Sequence, residues 1–100
     1  MTRRDVEFTA NGYLVLQAEV AKEFFPFDVL VALRRGPELW LLPTRGAAAG
    51  GLILKQRNPR GDRSVLVRET LDDEVPDGIR PAFWDDANGA LRVALVRGDA

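Results

Sequence analysis

The sequence predicts a mainly β domain with one or two short helices, built as a small barrel or sandwich of hairpins. Three observations point there. Turn signals recur at short intervals, at Asn11-Gly12, Arg35-Gly36-Pro37, Asn58-Pro59-Arg60-Gly61-Asp62, Pro76-Asp77-Gly78 and Ala87-Asn88-Gly89. The runs between them are short and rich in β-branched, aromatic and leucine residues, which pack well on a pleated surface. Finally, 100 residues with 46% hydrophobic and 29% charged content suit one domain, 1–100, with one modest core.

The elements follow in order. Residues 5–9 and 13–16 form a hairpin about Asn11-Gly12. Residues 18–25 break the two-residue alternation: Glu19, Lys22 and Glu23 separate the i,i+4 pairs Val20/Phe24 and Ala21/Phe25, and Pro26 stops the chain from continuing as helix. Strands at 29–34 and 39–42 flank Arg35-Gly36-Pro37, and strands at 52–56 and 64–68 flank the Asn58-to-Asp62 turn. Residues 69–75 admit a second helical turn or a solvated acidic loop. Strands at 81–84 and 91–96 close the chain around Asn88-Gly89.

Leu30, Val31, Leu41 and Phe24 are the expected core. The runs Val29-Leu30-Val31-Ala32-Leu33 and Leu39-Trp40-Leu41-Leu42 are apolar without alternation, and a strand apolar on both faces needs cover on both. A chain this short has little material for two cores, so a homodimer or higher oligomer is expected. Phe24, Phe25, Phe27 and Trp40 are then either interface anchors or filling for the monomer core.

The two parts of the chain also align. Shifting the sequence by about 51 positions sets Leu14-Val15-Leu16 on Val65-Leu66-Val67, Glu23 on Glu74 and Leu33 on Trp84. One extra residue in the second part then sets Leu39 on Leu91 and Leu41 on Val93. Two pseudo-repeats, 5–43 and 52–96, would be joined by the Gly/Ala-rich connector around 44–51; chance agreement between two hairpin-rich halves is the other explanation.

The segment Gly12-Tyr13-Leu14-Val15-Leu16-Gln17-Ala18-Glu19-Val20-Ala21-Lys22-Glu23-Phe24, with Phe27-Asp28-Val29-Leu30-Val31 and Glu38-Leu39-Trp40-Leu41-Leu42-Pro43, resembles the swapped-hairpin pattern of the AbrB and MraZ family across residues 7–43. The resemblance implies strands that interleave between two copies or two duplicated halves, and DNA binding as a transcriptional regulator. The chain departs from that pattern at Gln17, where the family has a helix-opening proline, and at Tyr13, where a basic residue is common. Acidic and basic side chains balance over the first 46 residues, so no phosphate-binding face stands out there.

Composition narrows the chemistry. There is no His and no Cys, one Met, and Ser64 is the only serine, so the usual general bases, nucleophiles and soft metal ligands are nearly absent. No nucleophile with an adjacent base can be assembled; neither catalysis, nor a metal, nor a cofactor is expected. A net charge of −1 provides no global field to gather nucleic acid or an anionic membrane. The charged start lacks the apolar stretch of a leader and no run is long enough to span a bilayer, so a cytoplasmic protein without membrane association is expected. The wealth of Arg, Ala, Val and Gly looks like the usage of a high-GC bacterium.

The densest positive charge, Lys55, Arg57, Arg60 and Arg63 with Arg68 beyond, falls on the predicted 52–68 hairpin. A tight turn there would gather guanidinium groups able to grip phosphates or carboxylates, or would simply be a solvated tip. The glycine-rich stretch lacks the Lys-Ser/Thr ending of a phosphate loop. Asp72, Asp73, Glu74 and Asp77 lack the spacing of a calcium loop. Asp85 and Asp86 read as turn residues, with Trp84 a core or rim aromatic. Two functional classes remain: a non-catalytic interaction module serving as accessory, assembly or regulatory protein for a larger partner, or a DNA-binding regulator using Arg3, Arg4, Lys55, Arg57, Arg60 and Arg63 on phosphates.

Overall fold

Alternation along the first strand shows how the sheet is oriented. In a computed structural model that describes residues 2–45 and 51–96, β1 (Arg3–Phe8) buries Val6 and Phe8 and exposes Arg3, Asp5 and Glu7. This two-residue period puts one face on the core and the other in solvent. β2 (Tyr13–Leu16) follows, then α1 (Ala18–Phe24), β3 (Val29–Arg35), β4 (Glu38–Pro43), β5 (Leu52–Ile53), β6 (Lys55–Gln56), β7 (Arg63–Leu66), β8 (Gly78–Asp85) and β9 (Ala90–Ala94). The predicted β-rich fold class is the observed one.

All nine strands belong to one antiparallel sheet in the order β5-β3-β4-β9-β8-β1-β2-β7-β6. Its two ends, β5 and β6, are consecutive in sequence with only Leu54 between them. One bent segment thus pairs with β3 on one side and β7 on the other, and the sheet becomes a nearly closed barrel. The sequence predicts a single strand over 52–56. The structure divides it because Leu54, 3% exposed, turns into the core and its N–H bonds to the carbonyl of Asp28 at 2.8 Å.

The two parts of the chain interlock. β1 pairs with β8, β2 with β7, β3 with β5 and β4 with β9. Leu14 lies opposite Val65, while Leu39 and Leu41 lie opposite Val93 and Leu91. These are residues that the shifted alignment superposes, and they lie opposite one another across the paired strands. The alignment slips at Leu33 and Trp84. Leu33 points outward and is exposed, whereas Trp84 packs against the core; it is Ala32 and Ala82 that occupy matching places, opposite Leu41 and Val93. Most of the connector, 46–50, lies outside the described residues.

Phe8, Leu14, Leu16, Leu30, Leu39, Leu41, Val65, Val67, Leu71, Leu91 and Val93 fill the barrel. Two of the four expected core residues, Leu30 and Leu41, are there; Val31 and Phe24 are only half-buried. Val31 falls on the outward parity of β3. On α1 it is Phe25, the residue ending the helix, that enters the core at 1% exposure, so Phe25 cannot anchor a surface interface. The outer faces of β3 and β4 carry Val31, Leu33, Trp40 and Leu42, so these strands are apolar on both sides.

Residues 69–73 form a run of turns, not a helix: the Leu71 N–H bonds back to Val67, and Asp72 and Asp73 then take φ of 51° and 65°. Left-handed backbone ends helical propagation, and Asp tolerates it better than most residues. Gly12 is required by proximity as well as by its φ of 88°, since a Cβ there would stand 2.9 Å from Cβ of Arg68.

Leu41 is fully buried between two paired strands. Leu41→Ala is expected to lower unfolding free energy by about 2–5 kcal/mol in urea denaturation, whereas Leu33→Ala on the outer face should change it by roughly 0.5 kcal/mol or less. Equal effects at the two positions would contradict this inward and outward assignment.

Candidate functional site

The arginine-rich hairpin, β6–β7, is built into the fold more than it is displayed. Its turn closes through the Arg57 N–H on the Asp62 carbonyl at 2.7 Å and the Gly61 N–H on the Asn58 carbonyl at 3.0 Å. Asp62 then acts as an acceptor for three donors. One oxygen takes the backbone N–H of Ala18 at 2.9 Å, and the other takes the Asn58 amide and the Arg60 guanidinium, each at 3.0 Å. Gln17, the N-cap of α1, makes no side-chain cap, so a residue far along the chain satisfies a helix-end donor instead. Arg63 is held by the Asp28 carboxylate at 3.0 Å and the Gly61 carbonyl at 2.6 Å. Arg68 donates to the carbonyl of Asn11 at 2.7 Å.

Of the four sequence-predicted hairpin residues, Arg63 is thus a structural strut, and Arg60 is largely exposed but tied to Asp62. Lys55 and Arg57 are exposed and make no ion pair among the described residues. Arg60 and Arg63 line one cleft with Lys22 and Asp28, each arginine already engaged by a carboxylate.

The Asn58 amide, the Ala18 N–H and Arg60 hold the Asp62 carboxyl below its ordinary value, Asn58 most strongly, with partial burial acting in the opposite direction. A depressed folded-state value stabilises the fold above the unfolded carboxylate pKa of about 3.9, and the contribution disappears as pH falls through the folded value. Asp62→Asn is therefore expected to melt below wild type at pH 7, with the gap closing as pH falls below about 4. Thermal melts across that range check this; a gap that stays constant into acid would show that the charge of Asp62 is not what matters.

The predicted interface residues separate. Phe24 and Phe27 meet at one mouth of the barrel, where they line a cleft of about 790 Å³ with Arg4, Pro26, Pro43, Arg45 and Trp84 among its other walls. Phe24 stacks on Trp84 with ring centroids 4.6 Å apart and planes 12° from parallel. Arg4 lies over the Phe24 ring at 5.7 Å and pairs with Glu23 at 2.8 Å, while the Trp84 indole N–H donates to Asp86 at 2.7 Å. These contacts fix the aromatic wall in place. Phe27 beside it is 54% exposed.

Trp40 lies apart, on the outward face of β4. Arg35 and Arg92 lie over its ring at 4.7 and 5.1 Å, and its N–H donates to Glu38 at 3.0 Å. Arg92 is in turn held by both oxygens of Glu38 and by Asp85 at 3.2 Å. The pairing with Glu38, and less strongly Asp85, raises the pKa of Arg92. Asp85 is held below its ordinary value chiefly by the side chain of Asn88, then by its backbone N–H and by Arg92.

Arg4, Arg45 and Trp84 reach the cleft from three strands or strand ends remote in sequence, and so escape motif reasoning. No group of three or more Asp or Glu side chains among the described residues is placed to hold a metal ion. No helix among them is long and apolar enough to cross a membrane. Comparison of the chain with protein-family models, curated proteins and solved structures finds no match.

Proposed function

We propose that this chain is a non-catalytic interaction module, an accessory, assembly or regulatory protein whose mouth cleft receives an apolar segment of a larger protein partner. One observation supports this best: Phe27 stands exposed beside the Phe24–Trp84 stack in a cleft that nothing in the described chain fills. Aromatic residues with arginine neighbours are the groups most enriched at the centres of protein interfaces, where a rigid wall saves ordering entropy on binding. The scarcity of nucleophiles and bases favours binding over chemistry.

The DNA-binding alternative draws support from the strand pairing between the two halves, β2 with β7 and β4 with β9, which is compatible with the interleaving that the AbrB and MraZ resemblance implies. Against it stands the engagement of Arg60 by Asp62 and of Arg63 by Asp28, which leaves Lys55 and Arg57 as the exposed cations of the hairpin without a carboxylate partner.

Photo-crosslinking discriminates between sites. A benzophenone side chain at position 27, with one at position 33 on the outer face for comparison, is introduced into the full chain and activated in cells. The cleft reading expects one dominant protein adduct from position 27 and at least about tenfold less from position 33. Adducts chiefly from position 33, or recovery of DNA in place of protein, would reject it.

A further inference from the structure

Parity decides which side chains of β2, β5, β6 and β7 reach solvent. Leu14, Leu54 and Val65 point into the barrel, so Tyr13, Ile53, Lys55, Ser64 and Leu66 point out. Leu66 lies directly opposite Tyr13 and Ser64 opposite Lys55, while β5 runs beside the other flank of β7. Tyr13, Leu66 and Ile53 therefore form one row across three strands, at 39%, 43% and 57% exposure. Outward positions of an antiparallel sheet that faces water are ordinarily polar. A single exposed apolar residue needs no explanation, but three of the seven large exposed ones among the described residues adjoin here.

The charge beside that row has one sign. β2, β5, β6 and β7 contain no Asp or Glu. Lys55, two residues on from Ile53, and Arg57 beyond it are exposed and make no ion pair among the described residues. The acid of the adjoining turn is committed elsewhere, since Asp62 accepts from Ala18, Asn58 and Arg60. Glu7 lies outward on β1, but β2 and β7 separate it from Lys55, about 14 Å at the spacing of paired strands against a screening length of about 8 Å.

The dimensions select the shape of a partner. Neighbouring strands lie about 4.8 Å apart, so the apolar row is about 10 Å long, and Lys55 stands about 7 Å to one side of it along the strand. Apolar residues at i, i+3 or i+4, and i+7 of an α-helix cover about 10.5 Å along one face. Acidic residues on the flank of such a stripe would meet Lys55 and Arg57.

We propose that this outward face docks an acidic amphipathic helix of a partner protein, with its apolar stripe across Tyr13, Leu66 and Ile53 and its carboxylates on Lys55 and Arg57. The surface shares no residue with the mouth cleft and is independent of what that cleft binds.

The test uses the full ¹⁵N-labelled chain, titrated separately with different probes. One is a helical peptide of about 14 residues with Leu at i, i+3 and i+7 flanked by Glu. The others are the same peptide with Lys in place of Glu, vesicles of mixed phosphatidylcholine and phosphatidylglycerol, and a DNA duplex. The acidic peptide is expected to shift the amides of Tyr13, Lys55, Ser64 and Leu66 saturably, at least about fivefold more tightly than the basic peptide, and to weaken as salt rises. The double variant Lys55→Glu, Arg57→Glu should reverse the preference between the two peptides, and Leu66→Ser should weaken binding of the acidic one. All three side chains are exposed, and unchanged amide positions on β4 report that each variant is folded. No saturable shift with the acidic peptide, or shifts centred elsewhere, would overturn the proposal. So would equal binding of the two peptides, an unreversed preference in the double variant, or a response of these amides to vesicles or DNA and not to the acidic peptide. Movement of the same amides on dilution of the chain alone would make a second copy the occupant and overturn it likewise. The main result is read on wild type, so poor folding of a variant leaves it intact.

Discussion

The structure depends on the double duty of one short segment. Leu52 to Gln56 supplies both ends of the strand order, pairing with β3 through β5 and with β7 through β6, with buried Leu54 at the bend. A sheet that nearly meets itself leaves little free edge, chiefly the stretch of β3 beyond Leu30 on the side where β5 pairs, and so reduces the principal hazard of an all-β chain. Asp28 holds the bend. Its carbonyl accepts the Leu54 N–H, its carboxylate holds Arg63, and its own backbone takes a left-handed φ of 57°. A residue in that region costs conformational energy, and here it links α1, the bend and β7 at one point.

Closure determines where a partner can bind. The Asp62 carboxylate fixes the first turn of α1 and Phe25 inserts at its last, so the helix is held at both ends. Phe24, one residue before the anchor, must then lean out against Trp84 at the end of β8, and Phe27 follows just past Pro26 into solvent. The cleft thus follows from the way the helix is seated. The outer face of β3 and β4 has a different character. There Trp40 is locked between Arg35 and Arg92 by cation–π contacts and a carboxylate network, a rigid patch well separated in role from the mouth.

Local pattern was enough for the strands and the helix. Hairpin turns at Asn11-Gly12 and Asn88-Gly89 and the i,i+4 pairs of α1 depend only on near neighbours, and β1, β2, α1 and β9 formed close to their predicted limits. Two-sided apolar character in β3 and β4 was also legible, because parity along a strand needs no tertiary information. The site was less so. Phe24 and Phe25 are indistinguishable by type, and which one enters the core is decided by where α1 ends. The arginine hairpin looked like a cation cluster because sequence places Arg60 and Arg63 near each other but cannot show Asp62 and Asp28 engaging them. The row of Tyr13, Leu66 and Ile53 gave no signal, since it depends on which strands adjoin in the sheet.

Closure by the bent segment is tested most directly by native-state hydrogen exchange at Leu54. If β5 and β6 seal the barrel, the Leu54 N–H should open only in global unfolding, with the same free energy and denaturant dependence as amides of β4, a strand paired on both sides. Exchange of Leu54 through a low-energy, denaturant-independent opening, while β4 stays protected, would contradict it: the segment would then be a loosely attached strap, and the mouth cleft would have no fixed frame.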